Sequence, residues 1–533
     1  MIENGPQGYD SPVGLGTDVK ALLARRQRAS ARKENWRELL DAAYKYALPN
    51  RNPYETASGG SNNNWDVYDS TLVLGLRKFV NRMINALVPP DSNWVNLVAG
   101  AFIPDDLREG SNAELQNITD MFFFYLRESN FDLVIHEAFT DMAISTGVIQ
   151  VNEGPDDAPL IFASIPSSSV AFESGPRGNL TAFFRDWHGV PEEHAMELWG
   201  DKFTVPDQVR RGKDIVVMTL FEISYYDYDT KLYRTVVIEE STQQIVFEKE
   251  EESWEWIGFR WSVLSGEDGG RGPVIDAFPT AATINKAMED ELRSAALTAG
   301  PPLMAFTDNV INPYTLNVAP NEIIPVKAMG TETWPIAPLP IGGNITFTSV
   351  VVNDLRAQIN EIMMAQPLQP LQNGPVRTAT EVAMVQNELR ENAGAQFSRV
   401  QKELFDPLVR RVLWILRKKG LVPPVEIDGK QVALSYRTPL SMSKNQNDVQ
   451  TFLQLFEIMS GIFTPGVAVN LVDAPKLPRW FGEKLGSELD LIKDENEILV
   501  LMEKAQELAE NAIEQQQPGP SGAGQAAAGF AQG

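Results

Sequence analysis

Apolar positions along this chain change period several times, and each change marks a different kind of element. Trp36, Leu39, Leu40, Ala43 and Ala47 recur at i, i+3, i+4, i+7 and i+11, which places them on one face of a helix. The spacing predicts a single helix from an N-cap at Thr17 to Ala47, ended by Pro49. Another is predicted from Tyr68 to Leu87, stopped by Pro89-Pro90, and two more over 111–128 and 131–145. From Gly147 the period shortens to two. "GVIQVNEG", "LIFASIP", "SSVAFES" and "LTAFFRDW" read as strands, and after a short helix near 191–200 the runs at 214–250 read as an antiparallel meander.

The period lengthens again after 270. Pro279 suits a first helical turn, and Ile284, Met288, Leu292, Ala295 and Ala299 form a stripe that Gly300-Pro301-Pro302 ends. Eight prolines between 300 and 344 rule out a helix there and predict short strands and turns. A second helix begins near Thr346, with Phe347, Val351, Leu355, Ile359 and Met363 on one face. Two rods, each roughly 30 Å long at 1.5 Å per residue, therefore bracket a β-rich knob. A polar loop follows, and then a long helix from Thr378 to Lys419. Thr378 and Glu381 form a capping box at its start, and Gly394 and Pro407 are kink points. "VEIDGKQVALSYR" predicts a hairpin with Asp428-Gly429 at its turn. Residues 441–513 are predicted to be mostly helical, and the low-complexity tail beyond them is predicted to be disordered. The expected class is α+β, mainly α.

Composition narrows the chemistry. Among 533 residues there is no cysteine, which excludes disulfides, thiolate zinc sites and cysteine nucleophiles. The formal net charge is −25, against what gripping nucleic acid through phosphates requires. The N-terminal "MIENGPQGYDSPVGLG" is not expected to be a signal peptide, and no run of 18 apolar residues is long enough to span a membrane. A basic cluster, Arg25, Arg26, Arg28, Arg32 and Lys33, reads either as a solvated face or as a contact with an acidic neighbour or DNA. His136, His188 and His194 lack ligand spacing, and no P-loop or G-x-S-x-G occurs, so no metal, cofactor or catalytic residue is expected. Five carboxylates between Glu248 and Glu255, beside Trp254 and Trp256, read as a solvated stretch, with a carboxylate hydrolase as the enzyme alternative. A tail adaptor or scaffold is a further alternative.

Four stretches carry a resemblance: "WRELLDAAYKYALPNRNPY", "VYDSTLVLGLRKFVNRMINALVPPDSNWVNL", "GRGPVIDAFPTAATINKAMEDEL" and "RTATEV". In this order the chain resembles the portal, or head-to-tail connector, of tailed bacteriophages, of the podovirus T7-like type. The resemblance covers nearly the whole chain. It implies a ring of about twelve copies around a central channel at the unique capsid vertex, assembled in the bacterial cytoplasm. It implies a wing (1–273), a first stem helix (274–299), a clip (300–344), a second stem helix (345–365), a tunnel loop (366–377), a long wing helix with hairpin (378–437), a crown (438–513) and a tail (514–533). The implied partners are double-stranded DNA of any sequence, the terminase large subunit that supplies the ATPase, tail adaptors, and the major capsid and scaffolding proteins. On this reading Gln366, Gln369, Gln372, Asn373 and Arg377 touch DNA. Asp354 and Glu361 line the stem channel, with Arg356 as a partner between neighbouring copies. Tyr314, Ile323 and Trp334 are either clip contacts to terminase or tail, or the knob's own core.

Overall fold

The computed structural model describes residues 18–51, 67–90, 92–100, 105–210, 216–306, 323–326, 336–338, 345–365, 394–423, 432–436, 439–462, 472, 474–485, 493, 497–501 and 504. They fall into two units, Met1–Tyr436 and Arg437–Gly533. Together they are helix-rich with several sheets. In the first unit, helices α1 (Val19–Glu34), α2 (Arg37–Ala47) and α3 (Thr71–Leu87) lead to strand β1 (Val95–Ala99). Helices α4 (Asp105–Glu128) and α5 (Phe131–Met142) precede β2 (Thr146–Glu153), β3 (Leu160–Ser164), β4 (Val170–Ser174) and β5 (Leu180–Pro191). After α6 (Glu192–Trp199) and the single turn α7 (Asp207–Arg210) come β6 (Val217–Asp227), β7 (Leu232–Glu239), β8 (Ile245–Glu251) and β9 (Trp256–Arg260). Then follow α8 (Pro273–Ala299), β10 (Leu303–Phe306), β11 (Ile323–Val326), β12 (Ile336–Pro338), α9 (Ile345–Ile362), a π turn (Gln401–Phe405), α10 (Asp406–Lys418) and β13 (Val432–Tyr436). The second unit contains α11 (Pro439–Ile462) and α12 (Leu477–Leu485), held together by Phe452 against Trp480 and Phe481.

Period-two strands build the centre of the first unit. A three-stranded sheet, β3-β2-β9, and a five-stranded meander, β4-β5-β6-β7-β8, are both antiparallel. Adjacent residues of β5 serve opposite faces, as the pleat demands. Phe183 stacks on Trp256 in a core shared with Val148 of β2, whereas Ala182 and Phe184 pack with Leu22 and Ala29 of α1. Helix α5 covers the other face of the smaller sheet, where a Cβ on Gly147 would meet the Ala138 carbonyl. The body is therefore layered as α5, small sheet, large sheet, α1.

The basic cluster of α1 is spent on this packing. Arg25 pairs with Glu173 at 2.6 Å, Arg26 with both oxygens of Asp186, and Arg32 with Asp268 at 2.9 Å. Lys33 donates to the Ser168 carbonyl, and Arg26 lies 3.5 Å over the Phe221 ring. The acidic neighbours are thus in the same chain, and Arg28 alone of the five has no partner among the described residues while facing solvent. The carboxylates of 248–255 are struts as well: Arg234 meets Glu248 and Glu250, Lys249 meets Glu251 and Glu255, Arg411 meets Glu251, and Arg417 meets Glu252.

Several boundaries differ from the periodic reading. The first helix breaks at Asn35-Trp36, because Trp36 turns to receive the Arg271 guanidinium 4.5 Å from its ring. Its described N-cap is Asp18, whose carboxylate accepts from the Lys20 N–H; Thr17 lies outside the described residues. Strand β13, expected to pair within a local hairpin, pairs antiparallel with β1 from the far end of the unit. The proposed hairpin turn and capping box lie outside the described residues. The long helix, described from residue 394, slips into its π turn directly before Pro407. Proline has no N–H for the Glu403 carbonyl four residues back, so the hydrogen-bond register widens there.

One carboxylate sits between the sheets. Glu222 is 2% exposed and accepts from Trp187 Nε1 at 2.8 Å and Gln150 Nε2 at 3.4 Å. Burial pushes its carboxyl up to about 7, with the nearby Arg185 charge opposing and Glu255 adding. As pH rises through the ordinary value of 4.5 the unfolded chain releases this proton and the folded chain keeps it, so stability falls between about 4.5 and about 7. Glu222→Gln is expected to leave the melting temperature unchanged at pH 4 and to raise stability at pH 8 by roughly 2–3 kcal/mol. Thermal denaturation of both proteins across that range checks the slope.

Candidate functional site

Helices α8 and α9 run from the body to a small sheet, and how they are anchored decides what they present. At the start of α8, Gly272 passes so close to the end of α5 that a Cβ would lie 1.9 Å from the Ala143 carbonyl oxygen. The N–H groups of Gly272 and Val274 donate there, to Ile144 and Ala143 at 3.1 Å each. Pro273 takes the first helical position, where no N–H is needed. Pro279 is therefore interior to α8, not in its first turn.

Only the near half of α8 is enclosed. Val274, Ile275, Ala277, Ala281, Ile284 and Asn285 are buried, whereas Leu292, expected in the same apolar stripe, is 50% exposed. Beyond Asn285 the body ends and α9 is the main companion. On α9 Val352 and Ile359 are buried, as is Met363 directly after its end, and Val351 is 41% exposed. Ile359 and Met363 are buried as the periodic reading has them, the stripe departs from it toward the start of the helix, where Val352 is buried in place of Val351, and Phe347's side chain lies outside the described residues. Between α8 and α9, the tip sheet has order β11-β10-β12, parallel on one side and antiparallel on the other.

A polar clamp fastens α9 to the body. Asp69 Oδ2 accepts from Arg356 Nε at 2.9 Å and Nη2 at 2.7 Å, and its Oδ1 accepts from the Thr71 N–H, opening α3. Beside it, Asn285 Oδ1 of α8 accepts from the N–H groups of Tyr68 and Asp69 at 2.6 and 3.3 Å. One corner thus fastens α3, α8 and α9. Gly75 of α3 completes the seat, with Met363 3.2 Å from where a Cβ would stand. Burial alone would raise the Asp69 carboxyl, but the Thr71 hydroxyl and N–H and the Arg356 guanidinium outweigh it and hold it below the usual carboxylate range.

Asp354 and Glu361 are exposed on the outward side of α9, seven residues apart. Arg356 turns inward to Asp69 within its own chain, where sequence reading had it reaching a neighbouring copy; the pull of a 7%-exposed carboxylate is the reason. Ile323 opens β11 and is 58% exposed, with Ile324 buried behind it. Gln366, Gln369, Gln372, Asn373, Arg377, Tyr314 and Trp334 lie outside the described residues. His136, His188 and His194 are all exposed, and among the described residues no three His, Cys, Asp or Glu side chains converge as a metal site. No helix among the described residues is long and apolar enough to cross a membrane. Asp69 and Asn285 were missed from sequence because neither belongs to a periodic or spaced motif.

Asp69→Asn and Arg356→Gln are each expected to destabilise the chain, with a coupling energy of about 1–3 kcal/mol in a double-mutant cycle measured by denaturant unfolding. Because the folded carboxyl titrates below 3.8, this contribution is complete above that pH and is lost on further acidification.

Against known proteins, the family model described as "Bacteriophage head to tail connecting protein" matches residues 19–492. A probable portal protein of Bordetella phage BPP-1 is 22% identical over 512 residues, covering 91% of this chain and 90% of that one. Among solved structures, a chain of the virion of a native gene transfer agent particle aligns over 84% of this chain and 91% of its own, at 11% identity and a TM-score of 0.33. A chain from the neck of an empty gene transfer agent particle, with C6 symmetry, aligns over 74% and 90%, at 13% identity and a TM-score of 0.32. At these scores the two superpose too loosely to carry a structural parallel.

Proposed function

We infer function from one premise: this chain belongs to the bacteriophage head to tail connecting protein family. It is a portal subunit. About twelve copies form a ring at the unique capsid vertex, and double-stranded DNA passes through the centre during packaging and ejection. The observation that carries this is the α8–α9 pair, clamped at one end by Asp69, Asn285 and Arg356 and bare of body contacts at the other, with a small sheet at its tip.

Charge supports a passage over a binding site. Every phosphate held by a cation releases counterions and adds affinity, and many such contacts would stall the duplex. The outward side of α9 offers Asp354 and Glu361, and its arginine is already neutralised by Asp69. The net charge of −25 acts in the same direction.

The finer assignments follow the family resemblance. Helices α8 and α9 are the stem, the sheet between them is the clip, residues 1–273 with 378–437 are the wing, and 438–513 are the crown. The clip, with Ile323, Tyr314 and Trp334, meets the terminase large subunit during packaging and tail adaptors afterwards. Capsid and scaffolding proteins surround the ring in a podovirus of T7-like type, assembled in the bacterial cytoplasm. Gln366–Arg377 forms a loop in the channel whose uncharged glutamines touch DNA without holding it, Arg377 being its one cation.

Twelve copies of a 59.2 kDa chain have a mass of about 710 kDa. Native mass spectrometry and negative-stain imaging of the full-length protein are expected to show that particle with a central pore, and a chain that stays monomeric under assembly conditions would sink the reading. Deleting Leu368–Gln372 is expected to leave ring mass unchanged while lowering DNA packaging or retention in an in vitro packaging assay. Unchanged packaging and retention would remove the loop from the channel.

A further inference from the structure

Both outer edges of the three-stranded sheet are closed by side chains instead of strands. On β3, the Asn130 amide donates to the Phe162 carbonyl at 2.8 Å and accepts from its N–H at 2.9 Å. On β9, Glu403 accepts from the Arg260 backbone N–H at 3.0 Å. Each closure caps a residue of an outer strand that would otherwise be free to template further pairing. They also place two very different surfaces on opposite flanks of one sheet, with the full width of β3-β2-β9 between them.

Either side of Asn130, the end of α4 and the start of α5 form an apolar knuckle. Met121 is 43% exposed, Phe124 58% and Leu133 73%, and the same two segments carry the exposed Asp120, Glu128 and Asp132. Nearby Arg127 is occupied, donating to Asn93 and lying 5.4 Å over the Phe123 ring. Beside Glu403, a cleft of about 1830 Å³ opens between the β4–β5 turn, the loop at 263–268 and the face of the π turn and α10. Arg177, Lys402 and Arg410 line it, all exposed and without an ion pair among the described residues. Trp254, Trp414 and Leu264 supply its apolar surface.

The knuckle is apolar and acidic, and the cleft is apolar and basic. Within one copy they cannot meet. Between copies they can, and because the two surfaces differ, every copy carries both halves of a contact that repeats until a ring closes. We propose that the α4–α5 knuckle of one copy seats in the β9-side cleft of the next. This rests on the ring reading above and names the surfaces that make the ring. Duplex DNA fits the cleft less well, since Trp254, Trp414 and Leu264 would meet phosphate in place of the knuckle's apolar side chains.

The test uses full-length chains. One variant disables the knuckle (Phe124→Asp with Leu133→Asp) and another the cleft (Lys402→Glu with Arg410→Glu). Where the wild type forms rings, each variant alone is expected to remain monomeric by mass photometry while keeping the wild-type far-UV circular dichroism spectrum, since all four positions are exposed. Mixed in equal amounts, they are expected to stop at dimers near 118 kDa, because each pair retains one intact knuckle and one intact cleft. The chain has no cysteine, so Leu133→Cys with Lys402→Cys and a short bismaleimide is expected to yield a ladder of covalent multimers, which also reports docking if a charge variant misfolds. Rings from either variant alone, or no ladder from wild-type-like rings, overturn the docking and leave the portal reading standing. Rings that persist while the cleft variant loses duplex binding assign the cleft to nucleic acid instead. A wild type that never assembles overturns the ring, and the docking with it.

Discussion

Arg260 has almost no contact with water, its side chain being 1% exposed, and a guanidinium taken that far out of solvent depends on its hydrogen-bond partners. It meets Glu403 of the π turn with Nε at 3.1 Å and Nη2 at 2.7 Å, and the carbonyls of Asp268 and Gly178 at 3.2 and 2.7 Å. Those partners come from the long helix, the loop that leads into α8, and the β4–β5 turn. One side chain therefore fixes where three otherwise separate segments leave the sheet. Gly270 presses on the same arginine, where a Cβ would stand 2.9 Å from its stem, so the path of the chain toward Gly272 and α8 is tied to it. The π turn follows the same logic. The proline that removes a helical hydrogen bond sits four residues after Glu403, the residue that reaches the sheet.

The distribution of charge has a common theme. The cations of α1 and the carboxylates of 248–255 look, as runs in a sequence, like surfaces for partners. In the folded chain they mostly bind one another's opposites across the body, and Arg356 is consumed by Asp69 in the same way. Internal pairing of this kind is weak evidence for stability, since desolvation offsets much of the Coulombic gain, but it fixes geometry. Its second consequence is subtraction: with many cations engaged, the exposed face of α9 is left with carboxylates. That arrangement suits the proposed conduit for a polyanion.

Period and punctuation were enough to find most elements. Alternation marked β2 to β8 closely, proline density marked the sheet between α8 and α9, and the helical stripes marked both rods. What they did not give was phase and partner. Val352 is buried where Val351 was expected, because a stripe read at every fourth residue drifts by about 40° per step on a helix of 3.6 residues per turn and leaves the face that buries Ile359 and Met363. Strand β1 escaped notice because five residues with no alternation carry no signal without β13, which joins it from hundreds of residues away. The family resemblance extended the reading to a function that no catalytic or ligand motif announced.

The sequence by itself determined which segments are helix or strand, the absence of thiol chemistry, the acidic balance and the helix–knob–helix order. These are local or additive properties, legible in spacing and counts. Only the tertiary structure decided that Asp69 clamps three helices, that the basic cluster, Arg28 apart, finds its partners within the same chain, and that an acidic knuckle and a basic cleft flank opposite edges of one sheet. Each depends on residues far apart in the chain meeting in space, and neither periodicity nor composition carries that distance.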